Sequence, residues 1–332
     1  MKLDQNALLS LARGFSYAEQ DAEGYLHFHR FTKKGEVFYR EILRGDRDLE
    51  ALGTAGVCLR FTTDAAALSF DYLAATYSDC PFALFDITVD GAPALCPPPP
   101  AAGEDGGTAR LTLDGKTHTV SVCFSALRAL CVKDLTLDGA TFCAPVKRAR
   151  KLYCLGDSIT HGYHARDPMN TYPNLLADKL DAEVLNHGVA AEVFRPDMLD
   201  PDLPFAPDII TVAYGTNDWN SRGHDGLVAD ANEFYARLRA YFPNAKIFAV
   251  TPLWRGDCDR VTKVGPFAEV GRIIRAAAEA QKGVVVLDGT TLVPHDPAYF
   301  SPDKLHPNDA GFRVYAEALA RVITPYLNEN GK

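Results

Sequence analysis

Polar segments in the second half of the sequence carry residue types that acyl transfer requires. Ser158 lies in the stretch KLYCLGDSITHGY, directly after an apolar run, and His306 lies near the end of the chain, three residues after Asp303. A serine hydroxyl is a poor nucleophile until a base takes its proton, and a histidine with an ordinary pKa of about 6.5 suits that task. A carboxylate that accepts the other ring N–H fixes the tautomer of the imidazole. Because one tight turn can bring Asp303 and His306 to the same side, the spacing predicts a triad with Ser158.

A tetrahedral intermediate also needs hydrogen-bond donors aimed at its oxyanion. The candidates are the backbone N–H groups of Ser158 and Gly188 and the side-chain amide of Asn217, because each follows a predicted strand. A residue without Cβ at position 188 would let a backbone N–H approach the substrate closely. Losing one such donor typically costs about 10²–10³ in kcat. Taken alone, Gly156-Asp157-Ser158 could also be an ordinary surface turn, because these residue types favour tight turns.

The elements that must position these residues alternate between strand and helix after residue 150. The short apolar runs predicted to be strands are 151–155, 182–186, 208–214, 245–250 and 284–288. Helical periodicity covers 172–180, 227–241, 266–281 and 308–327. Such alternation predicts a parallel sheet with helices on both faces, in which the loops at the carboxyl ends of the strands carry the chemistry. The candidate residues fall in those loops or just before the last helix.

The first 145 residues show a different pattern, with short alternating or β-rich runs. The predicted strands are 35–43, 56–61, 67–73, 82–91, 109–115, 117–124 and 131–139. Three of them end in Asp-Gly, a strong hairpin signal, and their regular spacing predicts an antiparallel, jelly-roll-like sandwich. The proline-rich stretch 96–107 is predicted to be a long loop, because proline cannot donate to a sheet. We therefore expect an all-β sandwich accessory domain at 1–145 and an α/β catalytic domain at 146–332.

Composition narrows the possible partners. The 332 residues carry a net charge of −9 without a long basic run, which argues against nucleic acid or an anionic membrane as a partner. The amino terminus lacks the apolar core of a signal peptide, and no apolar run is long enough to span a bilayer, so we expect a cytoplasmic protein. The eight cysteines show neither Cys-x-x-Cys nor zinc-like spacing, so we expect reduced, mostly buried thiols.

The candidate residues resemble those of the SGNH, or GDSL-type, esterases. The segments GDSIT, NHGVAA, GTND and DKLH occur in the order and approximate spacing of the four sequence blocks of that family, and the resemblance covers 151–327. It implies a flavodoxin-like three-layer α/β/α fold and no metal or cofactor. It makes Ser158 the nucleophile, His306 the base and Asp303 the acid that orients the base. Gly188 and Asn217 would be oxyanion donors, although Val-Ala-Ala follows this glycine where many relatives have a further glycine or serine.

A β-sandwich before such a domain also resembles the two-domain carbohydrate acetyl esterases of the same superfamily. This resemblance implies an acetylated sugar or oligosaccharide as the substrate. Possible substrate-binding residues near the predicted site are Asp157, Trp219, Trp254 and Arg255. Aromatic faces would suit a sugar ring, but the tryptophans and the arginine could equally pack in the core or at the rim. His161 is interpreted as a contact to solvent or substrate and not as the base.

The leading hypothesis is a serine esterase that removes small acyl groups, above all acetyl, from a carbohydrate or other small ester through an acyl-enzyme intermediate. A thioesterase or lysophospholipase would use the same machinery on lipid acyl chains and would need an apolar groove. A third hypothesis is a non-catalytic carbohydrate-binding protein, in which the sandwich acts and the hydrolase domain is degenerate. The complete set of predicted site residues argues against the third hypothesis. The oligomeric state stays open.

Overall fold

The computed structural model describes residues 1–43, 47–75, 83–97 and 106–327, which divide into two compact units. The first unit comprises the described residues up to Arg148 together with Arg166–Met169. The second comprises Ala149–Ala165 and the described residues from Asn170 onward. The roles expected for domains 1–145 and 146–332, accessory and catalytic, stay predictions.

The first unit is built from two antiparallel sheets. Its strands are β1 (Ala12–Arg13), β2 (Tyr17–Gln20), β3 (Leu26–His29), β4 (Cys58–Thr63), β5 (Ala67–Ala75), β6 (Phe85–Val89), β7 (Ala92–Leu95), β8 (Gly106–Thr112), β9 (His118–Phe124), β10 (Ala129–Asp138) and β11 (Cys143–Pro145). One sheet has the order β2-β3-β10-β5-β8, and the other has the order β1-β4-β9-β6-β7, with β11 beside β4. From β3 to β10 the chain alternates between the sheets except at β6–β7, which is the connectivity of a jelly roll. The predicted jelly-roll-like sandwich is confirmed.

Both sheets contribute to one hydrophobic core. Phe70 of β5 and Val132 of β10 belong to the same buried cluster as Leu59 of β4 and Val122 of β9. Residues on the inner faces of two sheets meet in this way when they alternate with outward residues along each strand. This shared core is what the predicted antiparallel sandwich requires.

The three Asp-Gly pairs of this unit have different roles. Asp90 and Gly91, with φ of 50° and 79°, connect β6 to β7 as a hairpin. Positive φ at both positions is what a two-residue turn of this kind requires. The pairs that follow β8 and β10 connect strands of different sheets instead. Each Asp-Gly pair thus marks a reversal of the chain. Of the three pairs, the one between β6 and β7 joins strands that are hydrogen-bonded to each other.

The run 35–43, predicted to be a strand, is helical. The helices of this unit are α1 (Gln5–Leu11), α2 (Lys33–Val37) and α3 (Arg47–Leu52), with a π-helical segment at Phe38–Leu43. Thr32 caps α2 by accepting a hydrogen bond from the Gly35 N–H at 3.2 Å. Tyr39 is buried, and its ring centroid lies 5.0 Å from that of Phe31. Capping and packing outweigh the β-prone composition of this run.

Parts of three predictions fall outside the described residues, namely residue 82 of the predicted strand 82–91, 98–105 of the proline-rich loop and Cys80. The cysteines in the described part are free thiols, and four of them are buried: Cys58, Cys123, Cys131 and Cys154. Burial of most of the described thiols is thus confirmed, and their reduced state stays a prediction. Among the described residues, no helix has both the length and the apolar character needed to cross a membrane.

The second unit is a parallel sheet flanked by helices. Its strands are β12 (Arg150–Gly156), β13 (Ala182–Gly188), β14 (Ile209–Ala213), β15 (Lys246–Val250) and β16 (Val284–Leu287). Their order is β13-β12-β14-β15-β16, all parallel, which is the flavodoxin-like order 2-1-3-4-5. Its helices are α4 (Ser158–His161), α5 (Tyr172–Lys179), α6 (Thr216–Ser221), α7 (His224–Tyr241), α8 (Phe267–Glu279) and α9 (Asp309–Leu327). The predicted α/β fold class is confirmed.

Short 3₁₀ segments complete the secondary structure at Pro168–Asn170, Pro196–Met198, Gly289–Thr291 and Pro297–Tyr299. The sheet of the second unit is covered on both faces. Leu152 and Cys154 of β12 share a buried cluster with Phe312 of α9. Tyr153, between them, packs on the opposite side against Phe242, which follows α7. Because the strands are parallel, the loops after β12, β13 and β14 leave from one edge of the sheet.

Candidate active site

Ser158 begins helix α4, directly after β12. The strand ends at Gly156, where a Cβ would lie 2.0 Å from the Thr160 hydroxyl oxygen, so glycine allows the helix to start this close to the strand. Asp157 caps α4 by accepting a hydrogen bond at 3.0 Å from the backbone N–H two residues later. The Oγ atom of Ser158 lies 2.8 Å from Nε2 of His306. A short strand-to-helix connection thus presents the hydroxyl to a base.

A tight turn before α9 brings Asp303 and His306 together, as their spacing predicts. Oδ1 of Asp303 accepts hydrogen bonds from the backbone N–H groups of Leu305 and His306, at 2.9 and 3.1 Å. These bonds hold the carboxylate so that Oδ2 lies 2.6 Å from Nδ1 of His306. Ser158, His306 and Asp303 therefore form a continuous hydrogen-bonded relay.

The surroundings of the relay set its protonation state. Burial lowers the pKa of His306, and the neighbouring Asp303 carboxylate, which raises that pKa, offsets burial only in part. Burial would raise the pKa of Asp303, but hydrogen bonds from the His306 ring and from two backbone N–H groups outweigh it, so this pKa is lowered. At neutral pH the imidazole is therefore neutral and the carboxylate is ionised. In this state Nδ1 donates to Asp303 and Nε2 can accept a proton from Ser158.

Gly188 ends β13 and packs against the backbone of α4. A Cβ at this position would lie 2.1 Å from the backbone nitrogen of His161, so the packing of the two chain segments requires glycine. The Gly188 N–H donates to Oδ1 of Asn186 at 2.8 Å, and the Asn186 amide donates to the Thr160 carbonyl at 2.8 Å. The reason for glycine here differs from the expected approach to substrate. Its role as an oxyanion donor stays a prediction.

Asn217 lies in the first turn of α6, after β14. Its side-chain amide donates a hydrogen bond to the carbonyl of Glu192 at 3.0 Å. The Glu192 side chain is buried and its carboxylate lies 2.6 Å from Nε of Arg195, which fixes this stretch of chain. An amide group carries two hydrogens, so the second can still serve an oxyanion. Asn217 can therefore still donate to an oxyanion, and this role stays a prediction.

Trp219 and Arg255 are both buried, and Trp219 has no exposed surface that could meet a substrate. Trp219 is fully buried, its Nε1–H donates to the Gly265 carbonyl at 2.9 Å, and its ring centroid lies 4.9 Å from that of Phe267. The Arg255 guanidinium lies 5.1 Å from the centre of the Trp219 ring and donates to the Thr216 carbonyl at 3.1 Å. A buried ring cannot stack on a sugar. We therefore correct the assignment of Trp219 to core packing. The substrate contact predicted for Arg255, which is as exposed as the predicted nucleophile Ser158 at 6%, stays a prediction.

Asp157 is also buried, so we correct its predicted substrate contact to the capping role described above. Burial raises the pKa of Asp157 to about 7, and the charge of Asp218 adds to this effect. Burial likewise raises the pKa of Asp218 to about 7, although its carboxylate accepts a hydrogen bond from the Phe194 N–H at 3.1 Å. Desolvation disfavours the charged form of a carboxyl group, which explains both shifts.

Trp254, unlike Trp219, is partly exposed. Its ring stacks on His295 with centroids 5.6 Å apart and an interplanar angle of 18°. It meets Phe300 edge-on at 5.1 Å. His295 thus covers one side of the ring, and a ligand could contact what remains exposed. The substrate contact predicted for Trp254 stays a prediction.

Two residues beside the relay were not predicted from the sequence, Tyr163 and His164. Nε2 of His164 lies 3.5 Å from Oδ2 of Asp303, and its ring centroid lies 5.3 Å from that of His306. The Tyr163 ring centroid lies 5.1 Å from that of His306. The available signal was their position directly after the short helix that begins at the serine. His161, expected to contact solvent or substrate, is instead fully buried.

Comparison with known proteins agrees with this geometry. Residues 154–314 match the model of the GDSL-like lipase/acylhydrolase family. A search of curated protein sequences finds no match to the chain.

Several solved structures resemble most or nearly all of the chain at low sequence identity. The salicylyl-acyltransferase SsfX3 from a tetracycline biosynthetic pathway has a TM-score of 0.79 and 22% identity, with 97% of this chain and 96% of that chain covered. An acetyl xylan esterase, Est2A, from the rumen bacterium Butyrivibrio proteoclasticus has a TM-score of 0.65 and 17% identity, with 98% and 99% covered. A family two carbohydrate esterase from Clostridium thermocellum in complex with cellohexaose has a TM-score of 0.64 and 16% identity, with 82% and 93% covered. The family match, on a fold shared with these proteins, identifies this protein as a carboxylic ester hydrolase that carries a GDSL-like lipase/acylhydrolase domain at 154–314.

Proposed function

We propose that this protein is a serine esterase that removes small acyl groups, above all acetyl, from a carbohydrate or other small ester. The observation that carries the proposal is the relay in which Ser158 Oγ lies 2.8 Å from His306 Nε2 and His306 Nδ1 lies 2.6 Å from Asp303 Oδ2. A nucleophile within hydrogen-bond reach of a base, which a third group orients, is the arrangement that activates a serine hydroxyl.

In the first half of the proposed reaction, Ser158 Oγ attacks the ester carbonyl carbon while His306 Nε2 accepts the hydroxyl proton. The carbonyl oxygen becomes an oxyanion in a tetrahedral intermediate. The intermediate collapses when the bond to the alcohol breaks, and His306 gives the proton to the departing oxygen. The Asp303 carboxylate stabilises the imidazolium that exists between these two proton transfers. Ser158 is left as an acyl ester.

In the second half, a water molecule takes the place of the alcohol. His306 Nε2 removes a proton from the water as the water oxygen attacks the acyl carbon. Collapse of the second intermediate returns the proton to Ser158 Oγ and releases the carboxylic acid. The lowered pKa of His306 suits this work, because the imidazole starts neutral and readily gives up the proton that it has accepted.

The oxyanion would be bound by donors at the same edge of the sheet. Ser158 is the first residue of α4, and the first N–H groups of a helix have no helical acceptor. The second amide hydrogen of Asn217 is a further candidate. The Gly188 N–H would first have to give up or share its hydrogen bond to Asn186. We therefore expect Ser158 and Asn217 to contribute most.

Two observations support an acetylated sugar as the substrate. The fold resembles that of an acetyl xylan esterase and that of a carbohydrate esterase in complex with cellohexaose. The partly exposed ring of Trp254 could contact a pyranose, because aromatic rings offer large apolar faces. A preference for oligosaccharide esters over simple acetates is the consequence that distinguishes this substrate class.

The test compares wild type, Ser158→Ala and Ser10→Ala on p-nitrophenyl esters from acetate to octanoate and on an acetylated xylo-oligosaccharide. Ser10 is an exposed serine of the first unit, so its replacement controls for the substitution itself. We expect Ser158→Ala to lower kcat by about 10⁶-fold without changing the thermal unfolding midpoint. Activity retained by purified Ser158→Ala would remove this serine from the mechanism.

The same panel separates the proposal from its alternatives. A rate that rises from acetate to octanoate would favour a thioesterase or lysophospholipase over an acetyl esterase. Binding of the oligosaccharide without hydrolysis of any ester, and without phosphonate labelling of Ser158, would favour a non-catalytic carbohydrate-binding protein.

A second candidate function is acyl transfer to an alcohol instead of water. It is favoured by the similarity to a salicylyl-acyltransferase, which extends over 97% of this chain with a TM-score of 0.79. The same acyl-enzyme would serve both reactions, because only the second acceptor differs. Adding an alcohol acceptor distinguishes them: a transferase forms the new ester in preference to the free acid, whereas an esterase releases mainly acid.

A further inference from the structure

Three potential metal ligands converge at one point of the site: His164, Asp303 and His306. One donor atom from each, a ring nitrogen or a carboxylate oxygen, lies within 4.8 Å of the other two. Oδ2 of Asp303 is the shared centre, 2.6 Å from Nδ1 of His306 and 3.5 Å from Nε2 of His164. The side chains of His164 and Asp303 are 31% and 38% exposed, so an ion from solvent can reach them.

The surrounding backbone holds these groups in place. His164 has a φ of 71°, a left-handed conformation that is uncommon for a residue with a side chain and that is found at functional sites. Oδ1 of Asp303 is occupied by two backbone N–H groups, at 2.9 and 3.1 Å, which leaves Oδ2 facing both imidazoles. Backbone hydrogen bonds therefore fix the direction of the Asp303 carboxylate, and the left-handed backbone of His164 places its ring beside that carboxylate.

We propose that His164, Asp303 and His306 bind one Zn²⁺ ion, and that this binding reversibly switches off the esterase. The inhibitory part of the inference rests on the proposed function, because it requires His306 to be the base. The binding part does not depend on it. Zn²⁺ here is a regulatory ligand and not a cofactor of the reaction.

The donor set suits Zn²⁺ among the divalent cations. Two imidazoles and one carboxylate are ligands that zinc accepts, with bonds of about 2.0–2.2 Å, and a fourth position can be filled by water. Tetrahedral ligand atoms at these bond lengths are about 3.3 Å apart. The separation of 3.5 Å between His164 Nε2 and Asp303 Oδ2 already fits, and the pair at 2.6 Å must open slightly. Mg²⁺ and Ca²⁺ prefer oxygen ligands and should bind poorly.

Zinc at this point would change which nitrogen of His306 carries the hydrogen. In the relay the neutral ring has its hydrogen on Nδ1, and Nε2 has the lone pair that accepts the Ser158 proton. Zinc needs the lone pair of Nδ1, so the hydrogen must move to Nε2. The ring stays neutral and no proton is released, but Nε2 now donates to Ser158 Oγ. A ring in this tautomer cannot act as the base.

The binding test uses calorimetric titration of Zn²⁺ into metal-free Ser158→Ala protein, alone and with a second substitution, His164→Phe or His118→Phe. Phenylalanine keeps an aromatic ring and removes the nitrogen donors. His118 is the matched control, because its ring also lies beside two carboxylates, Asp90 and Asp114, at 2.7 and 2.8 Å. We expect the His164→Phe protein to lose one tight zinc equivalent and the His118→Phe protein to keep it.

The activity test measures the Zn²⁺ concentration that halves p-nitrophenyl acetate hydrolysis, with restoration by EDTA. It compares wild type, His164→Phe and His118→Phe, each relative to its own zinc-free rate, so that differences in basal rate cancel. His164→Phe should raise this concentration by at least about tenfold, because even an indirect partner of a metal ligand typically contributes about 10–100-fold in affinity. His118→Phe should leave it unchanged.

Equal zinc binding and equal inhibition in wild type and His164→Phe would overturn the inference, since His164 would then not be a ligand. Zinc bound through His164 without inhibition would overturn the regulatory part and leave the site. If the wild type hydrolyses no ester, the proposed function fails while the calorimetric comparison still decides the binding site. Thermal unfolding of each zinc-free variant confirms that the ring replacement has not unfolded the protein.

Discussion

The loop after β12 and the loop after β14 leave the same edge of the sheet and are built alike, yet they offer different chemistry. Each loop starts at a glycine, and a side chain at that position would clash with a neighbouring element. A Cβ at Gly156 would lie 2.0 Å from a threonine hydroxyl, and one at Gly215, with φ of 118°, would lie 2.7 Å from the side chain of Ile274. In the first loop Ser158 meets a base, and in the second Asn217 contacts a backbone carbonyl.

In both loops the candidate catalytic residue has buried neighbours. Next to Ser158, Asp157 is buried, and next to Asn217, both Asp218 and Trp219 are buried. Ser158 contacts the base in the first loop, and Asn217 is predicted to serve the oxyanion in the second, while buried neighbours pack inward in both loops. The strand ends therefore determine where the site lies, whereas the direction of each side chain depends on the first turn of the helix that follows.

After loss of the nucleophile itself, removing the acid of the relay should produce the largest effect. Asp303→Asn keeps the size of the side chain, but an amide cannot hold the Nδ1–H tautomer of His306 as a carboxylate does. We expect kcat to fall by about 10⁴-fold with little change in stability, measured by ester hydrolysis and thermal unfolding. The control is Asp225→Asn, an exposed acid near the start of α7. A loss below tenfold would mean that Asp303 does not orient the base.

The two tryptophans give the next largest contrast. Trp219→Ala should lower the free energy of unfolding by about 3–5 kcal/mol, because it removes a fully buried ring from the core. Trp254→Ala removes a partly exposed ring and should cost less stability. If Trp254 contacts the sugar, its variant raises KM for the oligosaccharide ester and not for p-nitrophenyl acetate. Denaturant unfolding and kinetics on both substrates provide the measurements, and equal unfolding losses would contradict the assigned burial roles.

Asn217→Ala should have a smaller effect that tests the second loop. Loss of one oxyanion donor typically lowers kcat by about 10²–10³-fold. The amide also donates to the Glu192 carbonyl, so a change in loop structure could imitate a lost donor. Asn220→Ala, an exposed asparagine later in the same helix, serves as the control. A fall in unfolding midpoint with unchanged kcat would assign Asn217 a structural role only.

The sequence was sufficient for the parts of this molecule that repeat a simple period. Strand and helix alternation predicted β12–β16 and the helices α5, α7, α8 and α9, but not the short helices α4 and α6. The spacing of Asp303 and His306 predicted the turn that joins them. The strand prediction failed at 35–43, where the cap at Thr32 and the burial of Tyr39 stabilise a helix instead. Both depend on contacts outside the local alternation.

The direction of side chains was the second feature that the sequence did not predict. Trp219 follows a strand end, as a substrate contact would, but its ring lies in the core and packs against the Arg255 guanidinium. His164 was missed for the opposite reason, because its left-handed backbone at φ 71° brings a ring to Asp303 that its place in the sequence does not suggest. Such positions are set by tertiary packing, which overrides local pattern.

The smallest expected effect is a shift in the midpoint of the acid limb of the pH profile, and it tests the charges of the relay directly. Burial disfavours the imidazolium form, so the pKa of His306 lies below the ordinary value of about 6.5. Because the base must be neutral, kcat/KM should fall only as the pH drops through this lowered pKa, which keeps the enzyme active at lower pH than an exposed histidine would. Asp303→Asn removes the carboxylate that raises this pKa, so the limb of its residual activity should move to still lower pH. Profiles of both proteins over roughly pH 4 to 8 measure the two midpoints.

A wild-type midpoint above that of an exposed histidine would show that Asp303 outweighs burial. A shift of the Asp303→Asn midpoint toward higher pH would contradict the negative charge assigned to the Asp303 carboxylate.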